Sequence, residues 1–187
     1  MSKPIEYLIS ATWVVVCLFA VVLVCECIPD AYGHDSEPTG ITAELLDLQP
    51  SLPARAAERL SAAFIVAGRQ YGHDPLLLAS MAMRESSLSR EVGHCERVGA
   101  LGELGLMQLH GVAARLAPCS DQCDPICSIR SGAYWLVQVR EQCPGSTWRW
   151  VASYGWSRCT TEEEARADTA ARRARDLYLS VGGTLWE

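Results

Sequence analysis

Between Asp74 and Glu85 the chain carries a helix with no polar face. Asp74 followed by Pro75 is a helix start: the aspartate can cap the first free N–H groups, and proline's fixed φ suits a first turn that needs no donor there. Leu76, Leu77, Leu78, Met81 and Met83 then fall on nearly every side of the coil. A helix that is apolar all round cannot lie on the surface of a core and must be enclosed by other elements. The rest of the chain offers helices for that purpose. Pro53 opens a stretch from Ala54 to Tyr71 with Leu60, Phe64 and Ala67 on one face and Gly72 as a stop. Further helices are expected from Gly105 to about Leu116, from Ile129 to Gln142 and from Trp148 to Trp156. A last one begins near Thr160-Thr161, with Glu162, Glu163 and Glu164 in its first turn and Arg172, Arg173 and Arg175 towards its end, as the helix dipole favours. Ser89 to Glu103 and Pro118 to Ser128 read as loops. No stretch alternates as a strand and no repeat is visible, so the expected fold class is mainly α.

The N-terminus constrains location. An apolar run extends from Tyr7 to Cys25, broken only by Ser10 and Thr12. As a helix it would span about 28 Å at ~1.5 Å per residue, close to the hydrocarbon thickness of a bilayer. Lys3 precedes the run, while Glu26, Asp30, Asp35 and Glu37 follow it, an asymmetry that sends the remainder of the chain across the membrane. Ala31-Tyr32-Gly33 has the small residues a signal peptidase reads, yet the run is also long enough for an uncleaved anchor. Both outcomes stay open. The expected organisation is a signal or transmembrane helix over residues 1–27, a linker over 28–53 rich in Pro, Gly, Asp and Glu, and a helical domain over 54–187. The protein is expected in the periplasm or cell envelope, either free or anchored in the inner membrane.

The net charge is −6, with no basic block that could track a nucleic-acid backbone, which excludes that class of partner. Of the nine cysteines, Cys95, Cys119, Cys123, Cys127, Cys143 and Cys159 lie beyond the apolar run. An even set in an exported domain reads as disulfides whose connectivity the sequence leaves open. A zinc site is the rival reading, but the Cys119, Cys123, Cys127 spacing contains no CxxC pair and His94 is a lone neighbour. No metal or cofactor is expected.

Glu85 is the residue whose placement most suggests chemistry. It ends the apolar helix, so its carboxylate is expected at the rim of the core. There burial and the negative end of the helix dipole both disfavour the charged form. A carboxyl group still protonated near neutral pH is what a glycosidic oxygen requires of a general acid. The bland alternative is a helix-end glutamate in solvent or paired with Arg84.

Four ordered blocks bear on that choice: Arg84-Glu85-Ser86-Ser87-Leu88, Gly105-Leu106-Met107-Gln108-Leu109, Ser128-Ile129-Arg130-Ser131-Gly132-Ala133-Tyr134-Trp135-Leu136, and Ala152-Ser153-Tyr154-Gly155. With the lead-in Tyr71-Gly72-His73-Asp74-Pro75, they resemble the soluble lytic transglycosylase family over roughly His73 to Trp156. That resemblance implies a lysozyme-like α fold of the goose-type superfamily, with peptidoglycan glycan strands as substrate. It implies Glu85 as the single catalytic acid, Ser86 facing the substrate, Met107 and Gln108 as a glycan-contacting pair at the start of a helix, and Tyr154 close to the catalytic carboxyl group. Gln108 offers donors and an acceptor to acetamido and hydroxyl groups, and Gly105 would let a backbone approach a sugar. Taken singly, Met107 reads equally as core, Gln108 as a solvated helix residue and Tyr154 as a half-buried aromatic. Two departures stand out. Gly155 occupies the place where the family carries asparagine, and the link from Glu91 to Leu104 is long and contains Glu103, an accessory carboxylate or a solvated loop residue.

The family cleaves the β-1,4 bond between N-acetylmuramic acid and N-acetylglucosamine without water, because the muramic C6 hydroxyl attacks its own anomeric carbon and leaves a 1,6-anhydro end. A hydrolytic lysozyme on the same scaffold and an inactive glycan-binding module are the alternatives. The implied settings are wall remodelling, a secretion or pilus machine, and phage entry. Reduction of the cysteines is expected to lower the melting temperature, since losing one native disulfide from a small exported domain typically costs ~2–5 kcal/mol. Unchanged melting under reductant would show that these six cysteines are not bridged.

Overall fold

A computed structural model describes residues 40–155 and 158–184. The proposed signal or anchor helix lies outside the described residues, as do the first part of the linker and Trp156. Among the described residues no helix is long and apolar enough to cross a membrane.

The described chain is helical, with no strand and one isolated antiparallel bridge between Leu104 and Leu109. Its helices are α1 (Thr42–Leu48), α2 (Ala54–Tyr71), α3 (Pro75–Ser86), the single turn α4 (Arg90–Gly93), α5 (Gly111–Leu116), α6 (Pro125–Gln142), α7 (Thr147–Ser153), α8 (Glu162–Ala167) and α9 (Thr169–Ser180). The apolar helix is α3, and it is enclosed as its composition demands. It packs against α2 and α9, and also meets α1 and α6. Leu77, Leu78, Ala79, Met81 and Ala82 are buried in one core with Phe64 from α2, Ile129 and Leu136 from α6, and Val151 from α7. Asp74 caps α3 as its sequence suggests, accepting from the Leu76 N–H at 2.8 Å. Its other carboxylate oxygen receives the Tyr178 hydroxyl of α9 at 2.7 Å, so one short side chain both starts the helix and ties it to the last one.

Several expectations change in three dimensions. Residues 42–48 form a helix where a linker was expected, with Leu45 fully buried. Just past it, the Gln49 side-chain amide donates to the Ser87 carbonyl at 2.7 Å, bracing the end of α3. Seven residues are too few to show a helical period, which is why Leu45, Leu46 and Leu48 read as isolated. The third helix was expected from Gly105, but residues 105–109 form a tight turn closed by the Leu104–Leu109 bridge, and α5 begins only at Gly111. Helix α6 starts four residues earlier than expected, at an Asp124-Pro125 pair that repeats the Asp74-Pro75 device, with Asp124 accepting from the Cys127 N–H at 2.7 Å. The last helix is two: Asp168 adopts an extended conformation and caps α9 through the Ala171 N–H.

The six cysteines form Cys95–Cys123, Cys119–Cys127 and Cys143–Cys159. The first bridge ties the long link after α4 to the loop before α6. The second closes that loop on α6, and the third encloses α7 and Tyr154 in one covalent ring.

His73, at the turn between α2 and α3, donates from Nε2 to the Ala133 carbonyl of α6 at 3.1 Å. Burial lowers its pKa to about 4 from an ordinary 6.5; the hydrogen bond to Ala133 opposes that shift and the Arg140 charge adds to it. The unfolded chain therefore takes up this proton more readily than the folded one. The resulting stability is complete above about pH 6.5, declines as the pH falls towards 4, and changes no further below that value. The full effect is about 3 kcal/mol at most, before discounting for the ring's partial exposure. Urea unfolding between pH 7 and pH 4 is expected to show a shallower decline in His73→Gln than in the wild type. Identical slopes would exclude His73 as a source of the acid sensitivity.

Candidate active site

Helix α3 ends where its sequence stops supplying apolar groups. Ser87 and Leu88 both take left-handed backbone conformations (φ 55° and 50°), which turn the chain out of the helix immediately after Glu85 and Ser86. The Glu85 side chain is 22% exposed and opens onto a cleft of about 680 Å³. Glu103, Gln108, His110, Trp135, Tyr154 and Arg158 share the walls of that cleft. Four of the six residues singled out from the sequence therefore meet there: Glu85, Glu103, Gln108 and Tyr154.

The other two do not line it. Ser86 is buried, and its hydroxyl donates back to the Ala82 carbonyl at 2.8 Å, so the expected substrate-facing serine is held by its own helix. The Met107 side chain is fully buried against Gly132 of α6. Its contribution is made by its backbone: the N–H donates to the Ser128 hydroxyl at 3.0 Å and the carbonyl accepts from the Tyr154 hydroxyl at 3.1 Å. Tyr154 thus bonds the turn and not the Glu85 carboxyl group. Burial, and then the Glu85 carboxylate, push the Tyr154 pKa well above its ordinary value, with Arg84 opposing, so the phenol remains a neutral donor.

Gln108 is displayed by a strained turn. It has φ 48°, a conformation uncommon for a side chain of this size. Its side-chain amide donates to the Gly105 carbonyl at 2.9 Å, leaving its oxygen near Gly99. The Glu103 carboxylate also flanks Gly99 and accepts from the Leu101 N–H at 2.8 Å, so the long link folds over as a wall of the cleft. Gly105 plays a different part from the one expected. A Cβ there would collide with the Gln122 carbonyl and the Ser128 hydroxyl, so the close approach is made by the chain's own cysteine loop rather than by a ligand.

Sequence reasoning gave no role to Trp135, whose indole N–H donates to the Tyr154 carbonyl at 3.2 Å while the ring lines the cleft. Its face is suited to stack on the apolar side of a sugar. Only its position in the third sequence block pointed to it. In the sequence, Arg84 offers itself only as an ion-pair partner for Glu85. Its side chain is 7% exposed, and its guanidinium donates to Glu85 Oε1 and, at 3.3 Å, to the Val151 carbonyl. Among the described residues no group of three or more His, Cys, Asp or Glu is placed to hold a metal ion.

The family model described as the transglycosylase SLT domain matches residues 62–175, from the middle of α2 into α9. The chain belongs to the transglycosylase SLT domain family. No curated protein matches it individually. The SLT domain is lysozyme-like, in keeping with the helical architecture, and the family cleaves peptidoglycan glycan strands. Together with three disulfides, that membership indicates an extracytoplasmic protein. Within the SLT domain the cleft lies between the end of α3, the Gly105–Leu109 turn, α5 and α6, with the segment after α7 closing one side.

The turn that displays Gln108 rests on Gly132, where an added Cβ would lie 2.6 Å from Met107 Cγ and 2.7 Å from its Cβ. Gly132→Ala is therefore expected to lower stability by about 1–3 kcal/mol, as overpacking does. It is also expected to reduce glycan cleavage several-fold by displacing the turn. Thermal melts and fragment release from sacculi check both, and wild-type values in both would show that this contact does not set the turn.

Proposed function

We propose that the protein is a peptidoglycan lytic transglycosylase that cuts between N-acetylmuramic acid and N-acetylglucosamine and leaves 1,6-anhydromuramic ends, with Glu85 as its catalytic acid and base. The observation that carries this reading is the convergence of Glu85, Gln108, Trp135 and Tyr154 on one cleft in a chain of this family. Glu85 Oε2 gives its proton to the glycosidic oxygen as the bond to the anomeric carbon breaks. The carboxylate then takes the proton of the muramic C6 hydroxyl as that oxygen attacks the same carbon, which restores the acid. Gln108 holds an acetamido or hydroxyl group through its side-chain amide, and Trp135 stacks on a sugar face. Tyr154 keeps the turn and Glu85 in register. Ser86 and Met107 support the site from behind.

Hydrolysis by a goose-type-like lysozyme is a second reading, and the presence of Glu103 in the same cleft favours it. Inverting glycosidases place a second carboxylate to activate water. In the first reading Glu103 is a substrate contact or a loop brace, since one of its oxygens is engaged by the Leu101 N–H. The apolar run Tyr7–Cys25 serves as export signal or inner-membrane anchor in this proposal, and an anchored form would confine cutting to wall near the membrane, as a secretion, pilus or phage assembly requires.

Mass spectrometry of fragments released from purified sacculi by the full-length chain tests the proposal. Anhydro ends are expected from the wild type, and Glu85→Gln is expected to lose at least about 100-fold, the scale of general acid catalysis. Fragments with reducing ends, each heavier by one water, would replace the first reading with the second. Undiminished release by Glu85→Gln would overturn both.

A further inference from the structure

Adjacent residues on an α-helix point about 100° apart, so Arg84 and Glu85 do not face each other by virtue of their spacing. They meet because Arg84 is turned by α7. Its guanidinium donates to the Val151 carbonyl at 3.3 Å and lies 6.0 Å from the centre of the Tyr154 ring. A guanidinium with 7% of its side chain exposed is costly to bury unless it is paired, and among the described residues its carboxylate partner is Glu85. The contact engages Oε1, and no hydrogen bond from a described residue engages Oε2. A cation at a helix C-terminus would be stabilised by the dipole with its side chain in water. Burial behind the carboxylate exceeds what that role needs.

We propose that Arg84 is a positioning residue for glycan cleavage, gripping Glu85 Oε1 so that Oε2 faces the scissile bond, and serving as counter-charge to the carboxylate formed when the proton is given. The inference rests on the assignment of Glu85 as the acid. Arg84 itself lies too deep to reach a glycan and acts through Glu85. Each half of the reaction uses it: the carboxylate left after the glycosidic bond breaks is stabilised beside a cation, and its orientation is kept for the proton of the C6 hydroxyl. Among the described residues Tyr154, at the end of α7, faces this pair, and Glu103, His110 and Arg158 line the same cleft as Glu85. Arg158 is occupied by Glu164 at 2.9 Å, so it does not compete for Glu85.

The test compares Arg84→Gln and Arg84→Lys in the full-length chain, measuring kcat and KM on soluble glycan strands across pH, with Glu85→Gln alongside. Removing the cation favours the protonated carboxyl group, so the basic limb of the Arg84→Gln profile is expected to move to higher pH. At the wild-type optimum kcat is expected to fall at least about tenfold, the scale of a misoriented acid, with KM within about twofold. Arg84→Lys retains the charge without the fork and is expected to keep the limb in place while recovering part of kcat. A uniform loss at every pH with the limb unmoved in Arg84→Gln would reduce Arg84 to a structural prop and overturn the proposal. Should Arg84→Gln fail to fold, Arg84→Lys decides: a wild-type limb with lowered kcat at unchanged KM and melting temperature supports the proposal, and wild-type kcat, or a loss of kcat that tracks a lowered melting temperature, overturns it. Full activity of Glu85→Gln would instead remove the assignment on which the inference stands.

Discussion

A half-buried arginine–glutamate pair at the end of a buried helix is the constraint around which the rest of this molecule is arranged. Helix α3 is apolar on nearly every side and is surrounded by α1, α2, α6 and α9, so the Arg84–Glu85 pair at its end sits against a core, with Glu85 open to the cleft. Such a pair is favoured when the guanidinium finds further partners. The Val151 carbonyl accepts one of its N–H groups and the Tyr154 ring lies 6.0 Å away, and both belong to α7 or to the residue that follows it. The positions of α7 and the Glu85 carboxylate are therefore linked. The Cys143–Cys159 bridge encloses α7 and limits how far it can drift.

The same economy governs the opposite wall. Tyr154, held by α7, donates to the Met107 carbonyl, while Ser128 of α6 accepts the Met107 N–H. One turn is thus suspended between two helices by its backbone, with the Met107 side chain driven into the core as an anchor. Gln108 can remain in an unfavourable left-handed conformation because its neighbours on either side are pinned. Strain of this kind recurs at binding sites, where a side chain must be presented rather than packed. The cysteine loop behind the turn, crossed by two disulfides, fills the space that Gly105 leaves open.

The long link between α4 and the turn forms one wall of the cleft. It carries Glu103 to the rim, fastened through Leu101 and packed beside Gln108 over Gly99. Cys95–Cys123 ties the link to the cysteine loop, so the wall it forms is covalently joined to the support of the turn.

Much of the fold was legible in the residues themselves, because helix starts and stops are local chemistry. Asp74-Pro75, Pro53, Gly72 and the Thr161 capping region mark boundaries that the structure keeps, and Asp124-Pro125 carries the same local signal at the start of α6. The four motif blocks likewise carried the family. What the sequence left undecided depends on groups distant along the chain. The burial of Ser86 and Met107, the engagement of Tyr154 with Met107 rather than with Glu85, and the enclosure of α3 by a segment read as a linker each follow from helices meeting across dozens of residues. Sequence alone determined which residues begin helices, which cannot stay in water, and which family they belong to, since those properties reside in single side chains and short spacings. Only the tertiary structure decided that Arg84 turns inward beside Glu85, because the carbonyl and the ring that turn it come from residues 151 and 154.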